Sequence, residues 1–121
     1  MAIIDTAKYF TTAKDLSATS GGASGDVIYT CPANFISLIK FLHVSSGASG
    51  AKKYSLQLFE AATSTYHFII DEHSVAGNGI EEVVEGGAYL ALAAGDKIVG
   101  FEESSSDFHV IISGEEHFQT A

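Results

Sequence analysis

From residue 26 onward the chain is a succession of short apolar segments broken by Gly, Ser, Asn and Asp. That pattern is the signature of strands joined by turns. Residues 27–31 form an apolar run stopped by Pro32, whose missing N–H suits it to a strand edge. Residues 35–45 are apolar on both parities, with Ile36, Leu38, Leu42 and Val44 on one side and Phe35, Ile39 and Phe41 on the other. A strand covered on both faces reads this way. Tyr54, Leu56 and Leu58 alternate with Ser55, Gln57 and Phe59, and Tyr66, Phe68 and Ile70 share one face of a strand over 65–71. Short strands follow over 80–84, 89–92 and 97–103, and a last one over 108–113 turns Phe108, Val110 and Ile112 inward. Residues 80–85 have the helical spacing of Ile80, Val83 and Val84 but are too short to nucleate a helix between their flanking glycines, and 88–94, rich in helix formers, opens after Gly86-Gly87; both are read as strands. About eight strands at such spacings predict an antiparallel sandwich or barrel. The expected fold is all-β, a jelly-roll-like sandwich, with Leu38, Leu42, Leu56, Leu58, Phe68, Ile70, Val110 and Ile112 in its core.

The first 25 residues follow a different pattern. Beyond Met1, Ile3, Ile4, Tyr9 and Phe10 are the only large apolar side chains among the first 15, and a Gly/Ser-rich stretch, 17–25, follows them. Such a composition is that of a flexible linker. Residues 1–25 are therefore expected to form an N-terminal arm and linker, and residues 26–121 the sandwich domain. The four apolar side chains would be the arm's contacts with a neighbouring subunit or partner. The alternative is a first strand with a long loop, folded back on the sandwich as an edge strand.

A length of 121 residues makes one domain, large enough for a core without staples. No apolar run approaches the ~20 residues of a membrane helix, so no membrane association is expected, and no secretory signal pattern opens the chain. Fifteen acids against six lysines and no arginine give a net charge of -9. Nucleic acid is a poor partner for such a chain, because counterion release needs clustered positive charge. Cys31, the one cysteine, lies in an apolar strand with no base near it in sequence and reads as a small buried residue.

Five histidines (His43, His67, His73, His109, His117) include no His-x-His or His-x-x-x-His pair. They read as surface strand residues, and no metal or cofactor is expected. The pairs Glu81-Glu82, Glu102-Glu103 and Glu115-Glu116 read as a solvated face. With no nucleophile elbow and no phosphate-binding glycine loop, the chain is expected not to be an enzyme.

Four segments carry a resemblance. They are Ile28-Tyr29-Thr30-Cys31-Pro32-Ala33-Asn34, Ile39-Lys40-Phe41-Leu42-His43-Val44-Ser45, Leu90-Ala91-Leu92-Ala93-Ala94-Gly95-Asp96-Lys97-Ile98 and Phe108-His109-Val110-Ile111-Ile112-Ser113-Gly114-Glu115-Glu116. In this order, over about three-quarters of the chain, they resemble small β-sandwich virion proteins of tailed phages, including those of marine cyanobacteria. The resemblance implies a structural virion protein that decorates or cements a capsid. Its partner would be the major capsid protein and its place the capsid surface, after synthesis in the host cytoplasm. A tail or fibre component is the alternative within that class. A carbohydrate-binding module is the alternative outside it, disfavoured because Trp is absent and Tyr54, Tyr66 and Tyr89 fit inward faces. A homotrimer is expected, with the surplus apolar side chains Phe35, Ile39 and Phe41 buried between subunits.

Overall fold

The computed structural model describes residues 7–119 apart from Glu85 and Ser105. It contains nine strands: β1 (Lys8–Asp15), β2 (Asp26–Thr30), β3 (Phe35–Ser46), β4 (Lys52–Glu60), β5 (Thr65–Val75), β6 (Ile80–Val84), β7 (Leu90–Leu92), β8 (Lys97–Glu102) and β9 (Phe108–Phe118). Two antiparallel sheets pack as a sandwich. One has the order β1-β9-β3-β6, with β7 also on β3, and the other the order β2-β8-β4-β5. The fold is all-β, and its pairings nest: β1 with β9, β2 with β8, β3 with β6 and β7, and β4 with β5 innermost. Between the sheets lies one core that includes Ile28, Ile39, Leu42, Val44, Tyr54, Leu56, Ile98, Phe108, Val110 and Ile112.

β1 corrects the expectation of a separate arm. Its eight residues run in unbroken register along β9, from Lys8 opposite Glu116 to Asp15 opposite His109. Phe10 stacks on Tyr29 at 4.5 Å between ring centroids, and Leu16 is fully buried. Residues 8–15 are thus the edge strand of their own sandwich, the alternative the sequence left open. Nor is the Gly/Ser stretch after them a free linker. The amides of Ser17 and Ala18 donate to Asp26 Oδ2 at 2.6 and 2.8 Å, and Gly22 N donates to Gln57 Oε1 at 2.8 Å. A Cβ on Gly21 would stand 2.6 Å from the Phe101 ring. The small residues let this loop lie flat on the outer face of the second sheet, where Gln57 and Val99 are buried as a result.

The long strand β3 holds a bulge that the sequence pattern does not announce. Opposite β9 the register shifts between Ile39 and Phe41, so Lys40 is the extra residue. Gly114 lies across from it, where a Cβ would come within 1.9 Å of the Leu38 carbonyl oxygen. The bulge switches parity, as an extra residue must. Before it Ser37 and Ile39 point inward; after it Leu42, Val44 and Ser46 do. Leu38, expected in the core, is therefore only half-buried. A second correction concerns Phe68, which is 52% exposed. It pairs with Gln57, and Ile70 pairs with Leu56, so a register shift passes over Ile69 and turns Phe68 outward.

Candidate contact surface

The outer face of the β1-β9-β3-β6 sheet is assembled by register. Tyr9 on β1 faces Glu115 on β9; Thr11 faces Ser113, which faces Phe41 on β3; Ala13 faces Ile111, which faces His43. Strand alternation sends these side chains away from the core that Val110 and Ile112 fill. The rings of Phe41 and His43 stack at 5.5 Å, two residues apart on this face. Tyr9 is 82% exposed and Ile111 38%. Around the bulge the face is indented. A shallow open depression of about 320 Å³ is lined by Tyr9, Phe10, Thr11, Lys40, Ser113 and Glu115. At its rim Lys40 Nζ lies 2.5 Å from Glu115 Oε2, and His117 Nε2 lies 3.0 Å from Glu115 Oε1. The Lys40 hydrogen bond, with help from His117, holds the Glu115 carboxyl below its usual range. Further along, His109 Nδ1 meets Asp15 Oδ1 at 2.6 Å.

The residues expected to make contacts are distributed differently from the sequence reading. Ile3 and Ile4 lie outside the described residues. Tyr9 is on the outer face, whereas Phe10 turns inward onto Tyr29. Of the three interface candidates on β3, Phe41 alone belongs to this face. Ile39 is 0% exposed within its own core, because it precedes the bulge, and so offers no surface to a subunit. Phe35 packs against the core, edge-on to Phe118, with Lys8 Nζ 4.8 Å from its ring centroid.

The paired glutamates are where sequence reasoning missed most. One member of each pair turns inward. Glu116 Oε2 accepts the Tyr29 hydroxyl at 2.5 Å, and that hydroxyl also lies 2.6 Å from Ser37 Oγ. Glu81 Oε1 accepts the Tyr54 hydroxyl at 2.5 Å, while Glu81 Oε2 sits 2.7 Å from His73 Nε2. Each cluster joins the two sheets. Glu102 is 1% exposed and accepts the amides of Asp107 and Phe108 at 3.1 Å, which closes the turn before β9. Burial raises its carboxyl pKa, against the pull of those two amides. The signal was present in the sequence: adjacent strand residues face opposite ways, so a Glu-Glu pair cannot be wholly solvated.

Burial sets the protonation of the groups in these clusters. Burial pushes both phenols up and keeps them neutral, with the neighbouring carboxylates adding to the effect. Burial likewise raises the Cys31 thiol, which accepts from Ser37 Oγ at 3.1 Å. A protonated, enclosed thiol is a poor nucleophile. A second depression, beside Lys53, Ser55 and Glu72, measures about 60 Å³, far below the few hundred Å³ of a ligand pocket. Among the described residues no three His, Cys, Asp or Glu side chains stand close enough to hold a metal ion.

Comparison with protein-family models, with curated proteins and with solved structures gives no match.

Proposed function

We propose that the protein is a non-enzymatic structural virion protein, a decoration or cement protein that binds the major capsid protein on the surface of a phage head. The observation that carries this reading is the outer face of the β1-β9-β3-β6 sheet. It gathers Tyr9, Leu38, Phe41 and Ile111 beside the Lys40–Glu115 ion pair, on three adjacent strands of one sheet. An apolar area rimmed by polar groups on an otherwise acidic domain is characteristic of a protein-binding surface. The nested pairing of the strands supports the same reading, because it is the connectivity we assign to a jelly roll, an architecture common in capsid proteins.

Phe41→Lys combined with Ile111→Lys changes only this face. Purified protein added to undecorated heads should bind, and the double variant should lose occupancy while keeping its far-UV circular dichroism. Equal occupancy by the variant, or no binding by the wild type, would reject the proposal. A density map of the particle separates a head site from a tail or fibre site.

A carbohydrate-binding reading gains one observation. Tyr9 and Tyr89 are exposed, the latter at 63%, although Tyr89 was expected to face inward. A glycan array in which Tyr9→Ala abolishes a specific signal would favour it over the capsid.

A further inference from the structure

Both sheets are open, and their four edges differ in how far they are protected. β2 and β6 are five residues long, each with a register shift, and β7, which shares the edge with β6 along β3, has only three residues. β5 is long, but its register slips twice and Glu72 has a left-handed φ of 47° amid Asp71, Glu72 and His73. Short length, bulges and charge are the ordinary means by which an edge is kept from pairing with another chain. β1 has none of them over its centre. It is regular for eight residues, and Tyr9-Phe10-Thr11-Thr12-Ala13 is uncharged.

The free hydrogen-bonding groups of β1 follow from one observed bond. Leu16 N donates to Phe108 O of β9 at 2.9 Å. Antiparallel strands alternate the side to which a residue's N–H and C=O point. The even-numbered residues of β1 therefore bond β9, and Tyr9, Thr11, Ala13 and Asp15 direct their N–H and C=O away from it. Among the described residues no strand other than β9 pairs with β1.

We infer that this edge pairs with the same edge of a second copy, antiparallel about a two-fold axis at Thr12, to join two sheets into one. Self-pairing must keep outer faces on one side, so residue numbers across the pair sum to an even value. With the axis at Thr12, Tyr9 meets the partner subunit's Asp15, Thr11 meets the partner's Ala13, and Phe10 lies beside the partner's Lys14. An axis at Thr11 sets Lys8 against the partner's Lys14, two like charges in direct opposition, and an axis at Phe10 or Ala13 leaves fewer residues of the strand paired. Strand length and charge together thus select one register of a symmetric, closed interface. Two bodies of net charge -9 repel each other, so added salt strengthens the pairing. The inference uses the edge of the sheet and does not rest on the capsid reading.

Sedimentation equilibrium of the full chain, up to ~1 mM, tests it. Ala13→Lys places a charge beside the axis, and Thr11→Pro removes an amide that faces the free edge without touching the β9 ladder. A dimer should form with rising concentration and salt, and each folded variant should weaken it by about tenfold or more. On dimerisation the amides of Tyr9, Thr11 and Ala13 should gain protection from hydrogen exchange. A monomer throughout, or association that Ala13→Lys weakens by less than that, overturns the inference. So does a trimer that ignores the substitution. Should Thr11→Pro fail to fold, Ala13→Lys and the exchange pattern decide the question alone.

Discussion

Leu16 sits between Asp15 and Ser17 with no large apolar neighbour in sequence, yet it is fully enclosed. The backbone on either side of it explains how. Its amide donates to Phe108 O, and its carbonyl accepts from Ser106 N, which pulls the end of β1 over the mouth of the core. Leu16→Ala should therefore cost about 2–5 kcal/mol, as for other buried leucines, read as a lower urea midpoint. Asp26 fixes the loop that follows. Burial opposes its ionisation, but the amides of Ala18 and Ser17, and then the charge of Lys14, hold its carboxyl below the ordinary value of 3.8. A carboxyl depressed in the folded state contributes stability above its unfolded pKa and loses it as pH falls through the folded value. Asp26→Ala should cost about 1–2 kcal/mol near neutral pH, at the low end for hydrogen bonds to a charged group because the carboxylate is partly exposed. The gap between variant and wild type should close as urea titrations are taken below pH 3.8.

At the scale of elements, what the sequence made legible was the strands with a single buried parity. Phe108, Val110 and Ile112 are fully buried as their alternation predicts, and so are Tyr54 and Leu56. Legibility ended wherever an extra residue intervened. In the run Leu38-Ile39-Lys40-Phe41-Leu42 apolar side chains occupy both parities, so the lone charge of Lys40 does not by itself show that this residue leaves the ladder. The marker lies 74 residues away on the opposing strand, at Gly114, as the pairing of Gly114 with Ile39 shows. The contact surface was lost for the same reason, since the bulge sends Ile39 inward and Phe41 outward. β1 was hidden by its composition, because Tyr-Phe-Thr-Thr-Ala-Lys buries one side chain in two at most. The glycines and serines after it serve close packing instead of flexibility. Gly114→Ala tests this account of the bulge. A Cβ there would collide with backbone, which cannot swing aside as a side chain would. The variant should lose more than the ~1 kcal/mol typical of point substitutions, and Phe41 and Ile39 should change exposure together. An unchanged urea midpoint would show that β3 can shed the bulge at no cost.

For the molecule as a whole, the nested pairing makes the first and last of these strands neighbours in one sheet. β1 pairs with β9, so the contact that seals the sandwich joins residues about a hundred positions apart. Such a contact carries the largest loop-closure entropy in the fold and is gained only when the inner hairpin, β4 with β5, and the strands around it are already in place. The outermost pair is then a late and conditional part of the structure, but not a dispensable one. Without residues 1–15 the edge of β9 would lose its ladder partner, the Phe10 ring would leave Tyr29, and Leu16 would no longer be anchored from its N-terminal side. A chain beginning at Leu16 should consequently be destabilised by several kcal/mol, a large share of the 5–15 kcal/mol that holds a domain of this size. Urea unfolding followed by far-UV circular dichroism, with tyrosine fluorescence in place of the absent tryptophan, measures the difference. The full chain should unfold in one cooperative step, with both probes coincident. The shortened chain should show a much lower midpoint or no cooperative step. A shortened chain as stable as the full one would mean that β1 is detached in solution and free to pair elsewhere, and the edge-to-edge dimer would then lose the rigid strand on which it depends.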